Sequence, residues 1–165
     1  LTVVNYTLLG MASGFALSTA FASYVNSDLI NFYGGWAIVL TVTAFITRSA
    51  SLIRNTRIKY KSSMSSAIGI RHTNIKQKAQ GSMGGSFNTR EYFHGAKPAL
   101  FKSIKWAFLV MVFIVPVTLL SIALVSNMFA LFVLAFIAQY TGLLAERWFF
   151  FAQANHPQNL YYQTI

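Results

Sequence analysis

The chain has 165 residues, 55% of them hydrophobic and 16% aromatic, yet it carries a formal net charge of +10 from 13 Lys/Arg and 3 Asp/Glu. Charged residues make up 10% of the sequence, against about a quarter in a soluble domain, which excludes a disordered chain and argues against an ordinary soluble globule. The absence of cysteine excludes a disulfide framework, Cys-ligated zinc and iron–sulfur clusters held by the chain's own thiolates. Twelve of the thirteen basic residues fall between Arg48 and Lys105 with Glu91 as the only acid among them, so that stretch carries +11, and Asp28, Glu146 and Arg147 leave the rest at −1. A nearly neutral apolar protein with one inserted basic segment reads as a membrane protein.

A helix needs about 20 mostly apolar residues to cross a hydrocarbon core about 30 Å thick, and lipid admits only helices and closed barrels. The apolar runs here are continuous rather than alternating. They predict an all-α integral membrane fold of four transmembrane helices, arranged as two antiparallel hairpins joined by a long basic loop.

The first run extends from about Tyr6 to Val25 without a charge. It carries Gly10, Gly14, Ser18 and Ala22, a small residue every four positions, which reads as a helix-packing seam, with a ligand groove as the alternative. After the short Asn26–Asn31 linker, the second run starts near Phe32 and reaches Thr47; it spans only if it continues past Arg48 to about Ile53. The basic loop follows. The third run, Ile104–Val125, has Lys105 and Trp106 near its start and Pro116 in its middle, where a kink is expected. Ser126 and Asn127 lead into the fourth, Met128 to about Phe151. The implied segments are 1–53 (first hairpin), 54–103 (loop), 104–152 (second hairpin) and 153–165 (interfacial tail). The positive-inside rule puts the loop and both termini in the cytoplasm. The chain starts at Leu1 with no methionine or signal-like region, so an unseen start or a longer parent protein is expected.

On the fourth run, Gln139, Gly142, Glu146 and Gln153 share one helical face. Glu146 lies about 27 Å along that helix from Met128, near the far interface. An intramembrane carboxylate is a functional candidate, suited to accept a proton beside a quinol. The plainer reading is a Glu146/Arg147 pair that ends the span and anchors it with Trp148. No span contains histidine, so paired axial ligands for haem are lacking there, and His72, His94 and His156 have no metal-site spacing.

Within the loop, Arg54 to Lys78 is basic with scattered apolar residues, suited to an interfacial segment on anionic headgroups. The glycine-rich Gly81–Ser86 lacks the pattern of a phosphate-binding loop, and nothing calls for nucleic acid. Asn88–Gly95 packs Arg90, Glu91, His94 and two aromatics into eight residues, a composition that fits a docking segment. In the tail, Pro157 stops the helix and the Tyr161–Tyr162 pair suits the interface or a partner.

Several of these segments carry a resemblance. Ser66-Ala-Ile-Gly-Ile-Arg71-His72, Gly84-Gly-Ser-Phe-Asn-Thr-Arg90-Glu91-Tyr-Phe-His94-Gly95, Glu146-Arg147-Trp148-Phe-Phe-Phe-Ala152, His156-Pro-Gln-Asn-Leu-Tyr-Tyr162 and the opening Leu1-Thr-Val-Val-Asn-Tyr6 resemble the dimethyl sulfoxide reductase anchor subunit family. The resemblance implies a polytopic anchor in the bacterial inner membrane serving anaerobic respiration. Such an anchor oxidises menaquinol and passes electrons to an iron–sulfur subunit and a molybdopterin catalytic subunit. It places this chain as the last four helices, alongside an N-terminal half of the same anchor, and makes it a non-catalytic subunit. Arg90, Glu91, His94 and His156 are then docking candidates and Glu146 and Arg147 quinol-proximal ones. The rival readings are a transporter or channel component, which needs more midplane polarity, and a purely structural assembly subunit.

Overall fold

The computed structural model describes residues 1–59, 65–66, 69–72 and 98–153. The expectations for Arg90, Glu91, His94, His156 and most of the basic loop lie outside the described residues. Helix α1 is Thr2–Tyr24 and α2 is Ile30–Arg57. Helix α3 has three parts: Pro98–Leu109, a π-helical turn Val110–Ile114, and Val115–Ser126. Helix α4 is Phe129–Gln153. Among the described residues three helices, Ile30–Arg57, Ala99–Ser126 and Phe129–Gln153, are long and apolar enough to cross a membrane. The first run, expected as a fourth span, forms a helix of 23 residues but is not among them, because Asn5, Thr7, Ser13, Thr19 and its glycines dilute its apolar character.

The second run is not short. It continues through Arg48 for 28 residues, ending in Arg54 and Arg57, whose charge suits the negative end of the helix dipole. Both short connections turn on an asparagine with positive φ, Asn26 at 52° and Asn127 at 53°, a conformation whose cost asparagine bears better than most residues. Asn127 closes α3 with an N–H donated to the Ala123 carbonyl at 2.8 Å.

Each helix packs mainly on two others: α1 on α2 and α4, and α3 on α2 and α4. The interior sets small residues among a few large ones, with Leu9, Phe108, Leu120, Phe132 and Phe149 fully buried. Ala12, Ala16, Ala37, Ala44, Ala123 and Ala135 are fully buried, whereas Trp36, Val39, Ile46, Ile122, Leu134 and Leu144 point outward. The outward-facing bulky residues and the alanines at the helix contacts suit a lipid surround, where close backbone approach helps join helices. Hydroxyls are satisfied within their own helices, as where Thr19 donates to the Phe15 carbonyl at 2.7 Å and Thr141 to that of Ile137 at 2.8 Å.

The small-residue seam read from the sequence is only partly the packing face. Ala22 is buried and Ser18 half-buried, but Gly10 and Gly14 are exposed with nothing within 4 Å of where a Cβ would stand. Helix α1 packs instead through Asn5, Leu9, Ala12, Ala16, Thr19 and Ala20.

The expected kink at Pro116 takes the form of the π-turn just before it. Pro116 has no N–H to give the Val112 carbonyl four residues back, and the side chain of Gln139 reaches that carbonyl from α4, Nε2 to O, at 3.5 Å. Gly142 permits the approach: a Cβ there would stand 2.8 Å from Val112 Cγ2 and 2.9 Å from Met111 Cβ. Gly142→Ala is therefore expected to destabilise the protein by about 1–3 kcal/mol through overpacking, with Gly10→Ala near neutral. The denaturation midpoints of the two variants in detergent check this; equal midpoints would contradict it.

Candidate functional site

A helix of apolar and small residues tolerates an ionised side chain only where something compensates it. Among the described residues, the interior of the bundle holds one such place. Glu146, on the inward face of α4 formed by Phe132, Ala135, Gln139, Gly142 and Phe149, is 1% exposed, and Arg48, on the inward face of α2, is 3% exposed. Their side chains meet, Arg48 Nη2 to Glu146 Oε1 at 2.5 Å. The two positions agree in depth: Arg48 stands about 27 Å along α2 from Ile30 and Glu146 about 26 Å along α4 from Phe129.

A second guanidinium completes the cluster. Arg147 Nε lies 3.6 Å from Glu146 Oε2, with its side chain about one-third exposed. Its guanidinium carbon sits 3.3 Å from the centroid of the Tyr6 ring of α1, a cation–π contact. The Arg48 guanidinium stands 5.7 Å from the Phe108 ring centroid of α3. Phe108 in turn packs on Phe149, which stacks on Phe101 at 4.5 Å. All four helices thus contribute to one charged centre with an aromatic wall. Two cations face one carboxylate. Arg48 Nε and Nη2 and Glu146 Oε2 are buried without a hydrogen-bond partner, as is Asn5 Oδ1 on α1, so the Arg48–Glu146 contact is a charge contact rather than a fully aligned hydrogen-bonded pair.

Two turns of α4 nearer the Asn127 connection lies a neutral polar level. Gln139 is fully buried and donates from Nε2 to Thr41 Oγ1 at 3.0 Å, and Thr41 donates to the Ala37 carbonyl at 2.7 Å. Gln139 Oε1 has no hydrogen-bond partner. Beside it an apolar cleft of about 230 Å³ lies between α2 and α3, lined by Thr41, Val42, Phe45, Phe113, Ile114, Val117 and Thr118.

The structure therefore brings together two sequence candidates, Glu146 and Arg147, and adds Arg48 and Tyr6, while Thr41 joins Gln139 at the separate neutral level. Glu146 does not simply end the span with its neighbour. It lies inward and pairs across the bundle. Arg48 escapes a sequence reading because a basic residue after an apolar run looks like the end of that run. The signal that finds it is the α2 spacing Ala37, Thr41, Ala44, Arg48, which places Arg48 on the small, inward face.

No family model and no solved structure matches the chain. A sulfite dehydrogenase subunit of Allochromatium vinosum is 49% identical over 165 residues, which cover 100% of this chain and 51% of that protein. The chain thus spans about half the length of the curated relative it matches. The similarity and the three apolar helices support a multi-pass membrane protein related to a subunit of an oxidoreductase. The relative's name is that of a dehydrogenase subunit, whereas the motif resemblance is to a reductase anchor family.

Removing one member of a buried ion pair strands the other. Glu146→Gln alone is expected to cost about 3–5 kcal/mol, whereas Arg48→Met combined with Glu146→Leu should return to within about 1 kcal/mol of the parent. Denaturant titration of the three proteins measures this. A double variant as unstable as the single one would contradict it.

Proposed function

We propose that this chain is part of the membrane subunit of a respiratory oxidoreductase complex that exchanges electrons with a membrane quinone. The observation that carries the reading is the buried Glu146, held by Arg48 and flanked by Arg147, in a chain 49% identical to a sulfite dehydrogenase subunit. A dehydrogenase must dispose of electrons. Oxidation of sulfite with water to sulfate yields two electrons and two protons, and reduction of a quinone to quinol consumes two of each. On this reading electrons pass from a molybdopterin catalytic subunit through an iron–sulfur subunit to the quinone. The two protons enter the apolar region from water. Glu146 is the carboxylate in the interior of the described helices, and Arg147, partly exposed beside it, opens towards the interface. Glu146 would accept a proton from that side and pass it on, with Arg48 fixing its carboxylate in place. Menaquinol oxidation in the opposite direction, as the reductase-anchor motifs imply, is the second reading and uses the same groups in reverse.

The arrangement in the bilayer belongs to the same proposal. Helix α1 is charge-free and about 34 Å long at about 1.5 Å per residue, enough to cross. Its polar and small residues are tolerable because α2 and α4 cover one side of it. The four helices then form two antiparallel hairpins in the inner membrane, with the basic loop on the cytoplasmic face. Asn88–Gly95, with Arg90, Glu91 and His94, and His156 in the tail would dock the iron–sulfur subunit. The exposed Gly10 and Gly14 side of α1 would face the rest of the membrane subunit, the part corresponding to the half of the relative outside this match.

In the assembled complex, Glu146→Gln is expected to lower turnover with a soluble quinone analogue by at least about tenfold, in the range of lost proton-transfer catalysis. Unchanged turnover and analogue affinity would leave Glu146 a structural role only. For docking, Arg90→Ala with Glu91→Ala should diminish co-purification of the iron–sulfur subunit; undiminished recovery would remove that part of the proposal.

A further inference from the structure

The proposed quinone chemistry uses the inward face of α2. The outward face at its basic end carries a separate arrangement. Ala50, Ile53, Arg54, Arg57 and Ile58 line a shallow cleft of about 570 Å³, all of them exposed. Along the same helix, Trp36, Val39, Ile46, Ala50 and Ile53 form an outward stripe with spacings of three, four or seven residues, one continuous side of the helix. The one hydroxyl in that register, Thr43, donates to the Val39 carbonyl at 2.8 Å, so the stripe presents an apolar surface. It ends at the two arginines. Measured from Ile30 at about 1.5 Å per residue, Arg54 and Arg57 stand about 36 and 40 Å along the helix, beyond a hydrocarbon core about 30 Å thick and so at headgroup level. Arg48 turns inward to Glu146, but Arg54 and Arg57 have no carboxylate partner among the described residues.

We propose that this face of α2 binds an anionic phospholipid, its phosphate between Arg54 and Arg57 and one acyl chain along Ile53, Ala50 and Ile46. Charge and shape select the occupant. An acyl chain matches a stripe that runs into the hydrocarbon layer, and guanidinium groups donate paired hydrogen bonds to phosphate oxygens. Cationic pockets at the cytoplasmic ends of membrane helices recognise such headgroups.

The test is native mass spectrometry of the full-length protein in detergent, titrated with phosphatidylglycerol and with phosphatidylcholine of the same acyl chains. The parent protein is expected to retain phosphatidylglycerol about thirtyfold more tightly, about fivefold for each arginine. Arg54→Gln with Arg57→Gln should abolish that preference. Lys102→Gln with Lys105→Gln, which removes as much charge from α3, should keep it, and matched thermal midpoints show that both variants are folded. Millimolar inorganic phosphate should leave the lipid bound. Four results would overturn the proposal: no preference in the parent protein, an equal loss in the lysine variant, displacement by phosphate alone, or an arginine variant that keeps its lipid preference but loses a co-purifying acidic subunit.

Discussion

One buried charge contact, Arg48 on α2 against Glu146 on α4, sets conditions that the rest of the bundle has to meet. An isolated ion in an apolar interior is expensive, and even a paired one returns little net stability. The surrounding residues answer that cost. Phe108 and Phe149 exclude solvent on the α3 side, and Arg147 with Tyr6 closes the α1 side. Two helices that must present opposite charges at the same depth are thereby fixed in register, because a shift of one residue in either would turn its charge towards lipid. A buried pair that returns little net stability fits the proposed working group as well as a fastening.

The remaining contacts follow from lipid as solvent. With no hydrophobic drive between helices, closeness comes from alanine and glycine at the helix contacts, a few phenylalanines fill the space between, and many other bulky residues turn outward. Pro116 imposes a local defect on α3. The defect is absorbed by a π-turn, by the absence of a side chain at Gly142, and by Gln139, which supplies a donor to the Val112 carbonyl. The same glutamine binds Thr41 on α2, so three helices share one neutral polar level about 10 Å from the charged one, seven residues along α4 at about 1.5 Å each. The two levels lie on the same face of α4, and that face organises the interior.

Much of this is legible in the sequence, and the reasons are specific. The inward face of α4 emerges from the spacing of Gln139, Gly142 and Glu146, because helical periodicity survives in any environment. The positions of α3 and α4 emerge from uninterrupted apolar runs. Arg48 is hidden because hydropathy treats a cation as a boundary, whereas its partner, Glu146, lies far along the chain on α4 and no local pattern reports it. The Gly10–Gly14 repeat reads as the packing seam because small residues at four-residue spacing signal close approach. Within this chain Ala12 and Ala16, on the neighbouring face, make that approach instead. A fourth span at α1 rests on length and lack of charge, since α1 is not among the three helices apolar enough to cross a membrane.

On the proposed function, the Arg48–Glu146 pair serves proton chemistry rather than stability. The most direct measurement is quinone-linked turnover of the assembled complex carrying Arg48→Met and Glu146→Leu together, a variant that leaves no buried charge stranded. A folded, assembled complex is expected, with turnover at least about tenfold below that of the parent. Full turnover in that variant would contradict it.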